Sequence, residues 1–134
     1  MKKFENYVAN LNVLKRANEE DLNNEFVVGG IIDKFFIQFE LGWKVLKELL
    51  KYEGCASANS GSPREIIKEA FKMYAFIDED VWLAMLRDRN DMTHVYDGAQ
   101  AKKLVAKILE SYIPAFVLLQ ESVEEQYKDV LESF

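Results

Sequence analysis

The stretch Arg87-Asp88-Arg89-Asn90-Asp91-Met92-Thr93-His94-Val95-Tyr96-Asp97 holds most of the chain's candidate chemistry. Two arginines, three aspartates and the chain's single histidine crowd into it, which is not how a core-buried helix is written. An arginine is a permanent planar cation matched to phosphate oxygens, and a histidine exchanges a proton near neutral pH. Together they suit metal-independent cleavage of RNA: the 2′-hydroxyl attacks the adjacent phosphate, His94 moves a proton and Arg89 stabilises the charge on phosphorus. The plainer alternative is a set of surface ion pairs, with His94 at a helix C-terminus where the dipole favours its cation. On a regular helix Arg89 and His94 stand about 140° apart and roughly 7–8 Å apart in rise, so they share no face unless the helix loosens before His94. Val95-Tyr96-Asp97 reads as such a turn, and in an extended stretch His94 and Tyr96 point the same way.

The elements that must hold these residues are helical. Only two prolines and six glycines punctuate 134 residues, and no segment alternates with the period of a strand. The expected fold class is all-α, an antiparallel four-helix bundle with an additional or Pro-divided helix, in one domain over residues 1–134. The first helix is expected from Lys2 to Glu20, then a turn over Asp21–Asn24 and a long central helix from Glu25 to Tyr52. Gly54–Gly61 reads as a mobile loop. Ser62-Pro63-Arg64-Glu65 is a capping box with proline at the first helical position, opening a helix to Tyr74 that buries Ile66, Ile67, Ala70 and Phe71. Asp78 caps a fourth helix that fades near His94. Asp97 and Gln100 cap the last, which Pro114 kinks or divides and whose apolar pattern resumes through Leu131.

Composition excludes several classes. A net charge of -6 has the wrong sign for a protein that coats nucleic acid, so a phosphate-bearing ligand must meet a local basic patch. One histidine rules out multi-histidine zinc sites, and one cysteine, Cys55, rules out an intrachain disulfide and fits a reducing compartment. Neither a Gly-rich phosphate loop nor a G-x-S-x-G elbow occurs, and Asp78, Glu79 and Asp80 read as helix capping rather than as metal ligands. The expectation is a cytoplasmic protein that needs no metal or cofactor and has neither a signal peptide nor a membrane span.

The series Arg89-Asn90-Asp91-Met92-Thr93-His94-Val95-Tyr96 resembles the motif of HEPN domains paired with minimal nucleotidyltransferases: arginine, a polar residue, three more, histidine, any residue, tyrosine. Phe39-Glu40-Leu41-Gly42-Trp43-Lys44, then Ser62 to Phe71, then Trp82-Leu83-Ala84-Met85-Leu86 resemble the successive blocks of the nucleotidyltransferase substrate-binding protein family, in order, so that the likeness spans about Glu25 to Tyr112. The resemblance implies a homodimer whose Arg89 and His94 face a cleft between protomers, with Asn90 in support. It implies a minimal nucleotidyltransferase as partner, which in some such pairs silences a ribonuclease toxin by transferring AMP to the motif tyrosine, here Tyr96. An older reading of the family makes the subunit a non-catalytic, substrate-binding partner of the transferase. A third reading is an obligate helical dimer whose charged segment only holds the interface.

Other residues carry paired readings. Glu40 either pairs with Lys44 one turn along its helix or orients an arginine of the Arg87–Asp97 segment. Trp43 is either core or a platform for a base. Arg64, Lys68 and Lys72 recur every four residues as one basic stripe, either solvated or in contact with an RNA backbone, and Lys44, Lys47 and Lys51 make a second.

Overall fold

The computed structural model describes residues 1–131. Among them the regular elements are helical, and no helix is long and apolar enough to cross a membrane.

Helix α1 (Lys2–Leu14) presents Phe4, Tyr7, Leu11 and Leu14 as one buried stripe at three-to-four-residue spacing. It stops six residues short of the expected Glu20, giving way to a 3-10 turn at Ala17–Glu19 that tucks Ala17 into the core. The Asn24 side chain then accepts from the amides of Phe26 and Val27 and starts α2 (Glu25–Tyr52).

α2 is the axis of the molecule. Among its buried positions Phe35, Phe39, Leu46 and Leu49 are fully covered. Burying each such side chain contributes about 1.5–3 kcal/mol. α1 lies antiparallel on it: Lys3 reaches Glu48, whereas Asn10 donates to Gln38 Oε1 at 2.7 Å and to the Lys34 carbonyl at 3.0 Å. The amide nitrogen of Gln38 donates to the Tyr7 carbonyl, so this fully buried amide is paired at both ends.

Gly54, at φ +84°, ends α2 in a conformation that costs a side-chain-bearing residue. The expected mobile loop that follows is folded into a 3-10 turn (Ala56–Asn59) with Ala58 wholly buried. Ser62 caps α3 (Pro63–Met73) by accepting from the Glu65 amide, although the Glu65 carboxylate takes the Ser62 hydroxyl rather than closing a reciprocal amide bond. Phe71 departs from expectation. At the edge of the stripe defined by Ile66, Ala70 and Tyr74, it is 48% exposed.

α4 (Glu79–Asn90), capped by Asp78, runs antiparallel to α2. Its Trp82 ring lies on Gly42, where an added Cβ would stand 2.9 Å from the indole, so glycine is what lets α4 sit this close. α4 ends at Asn90 and does not fade towards His94. Asp91 turns extended, and after it come a single helical turn, α5 (Thr93–Tyr96), and α6 (Gly98–Lys107) capped by Asp97.

Pro114 divides the last helix without breaking it. Residues Ile108–Tyr112 form a π turn between α6 and α7 (Ile113–Gln126), the extra residue making room for a ring that cannot continue the hydrogen-bond ladder. Stacking of Phe35 on Tyr112 and the Tyr127–Glu53 hydrogen bond show that α6 and α7 follow the direction of α2. α1, α2, α4 and α6–α7 thus form an antiparallel four-helix bundle, with α3 as the additional helix. Tyr127–Leu131 closes it as a turn, the Leu131 carbonyl accepting from the N-terminal ammonium.

Candidate functional site

The last turn of α4 sends its side chains in different directions. Trp82, Met85 and Arg89 recur at i, i+3 and i+7, so the face that buries the first two lays Arg89 against α2. There its guanidinium meets the Glu40 carboxylate, Nη2 donating to Oε1, while Nη1 reaches the Asn90 side chain at 3.4 Å. The other Glu40 oxygen accepts from the Trp43 indole at 3.2 Å and lies 3.8 Å from Lys44 Nζ. Both readings of Glu40 are therefore geometrically present: one oxygen holds the arginine of the next helix, the other its own helix's lysine. Trp43 is half-buried, with its N–H committed to Glu40.

His94 arrives by a different route. Asp91 Oδ1 accepts from the backbone amide of Thr93 at 2.9 Å and from its hydroxyl at 2.6 Å, a local turn that competes with helix continuation. These hydrogen bonds, the hydroxyl's first, hold the Asp91 carboxyl below the usual carboxylate range. His94 Nδ1 lies 3.0 Å from the Asp91 carbonyl. A carbonyl only accepts, so Nδ1 carries the proton and neutral His94 offers Nε2 as its base. The ring also rests edge-on against Phe36, centroids 5.4 Å apart.

Phe36 and Glu40 are one turn apart on α2 and share a face. The helix break therefore does what a regular helix could not. It sets the supports of His94 and Arg89 in line along α2, each side chain only partly covered.

Tyr96 is 87% exposed and shares with His94 a groove of about 820 Å³ between the first half of α2 and α5–α6. Arg64, Lys68 and Lys72 lie apart on α3, where Lys68 pairs with Glu79 at 3.7 Å and Lys72 with Glu69 at 3.5 Å.

The sequence reads Asp88 only as one of a set of surface ion pairs with Arg87, Arg89 and Asp91. Pointing away from Arg89, it is nearly buried, accepts from the Tyr112 hydroxyl in the π turn, and has Lys107 Nζ at 3.5 Å and Arg87 Nε at 3.7 Å. Burial first, and the Asp88 contact second, push the Tyr112 phenol far above its ordinary value. This cluster ties α4 to the end of α6 and so fixes both anchors of the His94 turn. No local pattern announces it. The Asp91-x-Thr93 turn, by contrast, has a readable signature. Among the described residues no three His, Cys, Asp or Glu side chains gather as a metal site.

The sequence profile described as "Nucleotidyltransferase substrate binding protein like" matches residues 2–125. The chain belongs to this HEPN-type family. Among curated relatives, this family member is similar to the "Probable ribonuclease HepT" of Haemophilus influenzae, 28% identical over 97 residues. That match covers 71% of this chain and 66% of the relative, just under two thirds of its length.

Proposed function

We propose that the chain is the HEPN subunit of a two-component system with a minimal nucleotidyltransferase, and that it is a metal-independent endoribonuclease toxin. One observation carries the reading: Glu40 and Phe36, which hold Arg89 and His94, stand in line on one face of α2, and among the described residues His94 Nε2 is the nitrogen left free. The name of the Haemophilus influenzae relative, a probable ribonuclease, supports it.

In this scheme the 2′-oxygen of RNA attacks the adjacent phosphorus as its proton passes to His94 Nε2. The bond to the 5′-oxygen breaks, and that oxygen is protonated, leaving a 2′,3′-cyclic phosphate and a 5′-hydroxyl. Arg89 neutralises the charge building on the non-bridging oxygens, Asn90 and Glu40 set the guanidinium plane, and Trp43 and Lys44 hold Glu40. A homodimer brings a second Arg89 and His94 to one cleft, so the two protomers share the acid and base roles. RNA backbone contacts at Arg64, Lys68 and Lys72 extend the binding surface.

Purified protein incubated with RNA in excess chelator tests this. Cleavage is expected, reduced about 100-fold or more in Arg89→Ala and about 100- to 10,000-fold in His94→Ala, each with its helical signal retained. No cleavage by the unaltered protein overturns the reading in favour of a substrate-binding subunit, which the size of the groove beside His94 favours.

Tyr96 is the proposed acceptor of AMP. Its phenolic oxygen attacks the α-phosphorus of ATP on the partner, pyrophosphate leaves and the phenol proton is lost. Its exposure supports the assignment. Intact mass should rise by one or more adenylyl groups with the transferase and ATP, and Tyr96→Phe should abolish the gain.

A further inference from the structure

The groove that holds His94 extends away from Arg89, towards the start of α2. One wall is α2, through Val28, Gly29, Ile32 and Asp33; the other is α5–α6, through Val95, Gly98, Ala99, Ala101 and Lys102. Small and apolar residues line about half of it, Asn23, Glu25, Asp33, His94, Tyr96 and Lys102 supply the polar remainder, and its volume lies within the range of small-molecule sites. A Cβ added at Gly29 or Gly98 would meet nothing within 4 Å, so both walls are open at these points.

Gly29, Asp33, Phe36 and Glu40 fall within about 60° of one another around α2 and so form one straight track. Asp33 lies about 4.5 Å along the axis from the support of His94, and Glu40, which holds Arg89, about 6 Å beyond that support. The order along α2 is therefore a groove with Glu25 at its far end and the Asp33 carboxylate nearer the site, then the imidazole, then the guanidinium. A nucleotide has the same order: a flat base, then its sugar and 3′-phosphate.

From this placement we infer that the groove is a nucleobase subsite for the residue on the 5′ side of the scissile phosphate, and that Asp33 selects guanine there. The inference rests on the reading above that Arg89 and His94 face that phosphate. The base slides between Gly29 and the Gly98–Ala99 wall, where the absence of bulky side chains leaves room for a planar ring. Asp33 is exposed to the groove, and among the described residues it has neither an ion pair nor a hydrogen bond that would occupy its carboxylate. An ionised carboxylate only accepts, so it favours a base edge with two parallel donors. The N1–H and N2–H of guanine supply that pair. Uracil offers one N–H flanked by two carbonyls that the carboxylate repels. Lys102 stands on the opposite wall, towards the start of α2.

Nucleoside 3′-monophosphates test this without any need for cleavage, since each joins one base to the phosphate that Arg89 and His94 would hold. The His94 ring signal is unambiguous because the chain has a single histidine. In NMR titrations, guanosine 3′-monophosphate should shift His94 and the Gly29 amide and bind roughly tenfold more tightly than uridine 3′-monophosphate. Asp33→Asn should erase that preference. Gly29→Leu, which fills the groove from a helical position with room for the side chain, should weaken the guanine nucleotide by about tenfold while the thermal midpoint is kept. Equal binding of all four nucleotides, a preference that survives Asp33→Asn, or an unmoved Gly29 amide, as when a second copy of the chain fills the groove, overturns the inference. The two readings fail separately: cleavage without base preference removes the subsite and leaves the ribonuclease, and preference without cleavage does the reverse.

Discussion

Glu40 and Arg89, separated by 49 positions in the chain, form an ion pair between α2 and α4 that joins the bundle's axis to its candidate site. The pair is about one-third exposed, so its share of stability is small, under about 1 kcal/mol once solvent screening is allowed for. Its larger effect is on geometry, because a guanidinium gripped by one carboxylate oxygen keeps its plane and its remaining donors aimed. Glu40→Gln is therefore expected to shift the thermal midpoint by only a few degrees while lowering RNA cleavage by roughly tenfold or more. Parallel calorimetry and cleavage assays check this, and a loss of stability as large as the loss of activity would make Glu40 a folding residue.

What the sequence reveals is what is local. The Ser62-Pro63 start, the Asp78 and Asp97 caps and the three-to-four-residue stripes of α1 and α2 each lie within a few positions, and the structure follows them. Pro114 announces a disturbance but not its form, since whether a helix breaks or widens by one residue depends on what it packs against. Phe71 reads as apolar and therefore buried, yet it stands at the edge of the α3 stripe and is only half covered. The contact of Arg89 with Glu40 is legible only as one of two options, because a carboxylate cannot show in sequence which cation it will face. Asp88 is legible only as a charge that could pair with Arg87, not as a nearly buried acceptor. Its partner Tyr112 lies 24 positions away, beyond any periodic signal.

Asp88 gives a stability prediction. With its carboxylate nearly buried, removal of the Tyr112 hydroxyl strips the acceptor of its buried donor and leaves Lys107 and Arg87, whose side chains are half exposed or more. Tyr112→Phe should cost about 1–3 kcal/mol, measured by urea unfolding. Lys107→Ala should cost less than about 1 kcal/mol. The reverse ranking would mean that the lysine, not the phenol, holds the carboxylate.

Alkaline stability follows from the tyrosines. Tyr7, Tyr74, Tyr112 and Tyr127 are all pushed above the ordinary phenol value of 10.0, with burial the largest cause in each. Below that value both folded and unfolded chains keep these protons, and the stabilisation is fully present. Above it the unfolded chain releases them while the folded one retains them, so stability falls as pH rises. Phenolate absorbance of these four should appear together with loss of the helical signal. Their titration near pH 10 with the helices intact would refute the buried hydrogen-bonded arrangement.

The His94 turn has its own pH dependence, of opposite sign. Asp91 is held below its ordinary value of 3.8, chiefly by the Thr93 hydroxyl and then by the Thr93 amide. A lowered carboxyl contributes its hold above the ordinary value and loses it as pH falls through the folded one. The edge-on contact of His94 with Phe36 should therefore persist in mildly acidic solution and vanish only when Asp91 takes its proton. Thr93→Val removes the larger of the two hydrogen bonds, so the Asp91 titration should move up towards 3.8. The His94 ring signal should lose the shielding it gains from Phe36 at neutral pH as well. On the proposed mechanism, in which that ring reaches a phosphate held by Arg89, loosening the turn should lower cleavage by about tenfold or more while the bundle's unfolding midpoint stays in place. A His94 signal and a cleavage rate both unchanged in Thr93→Val would show that the imidazole is positioned by Phe36 and the Asp91 carbonyl alone.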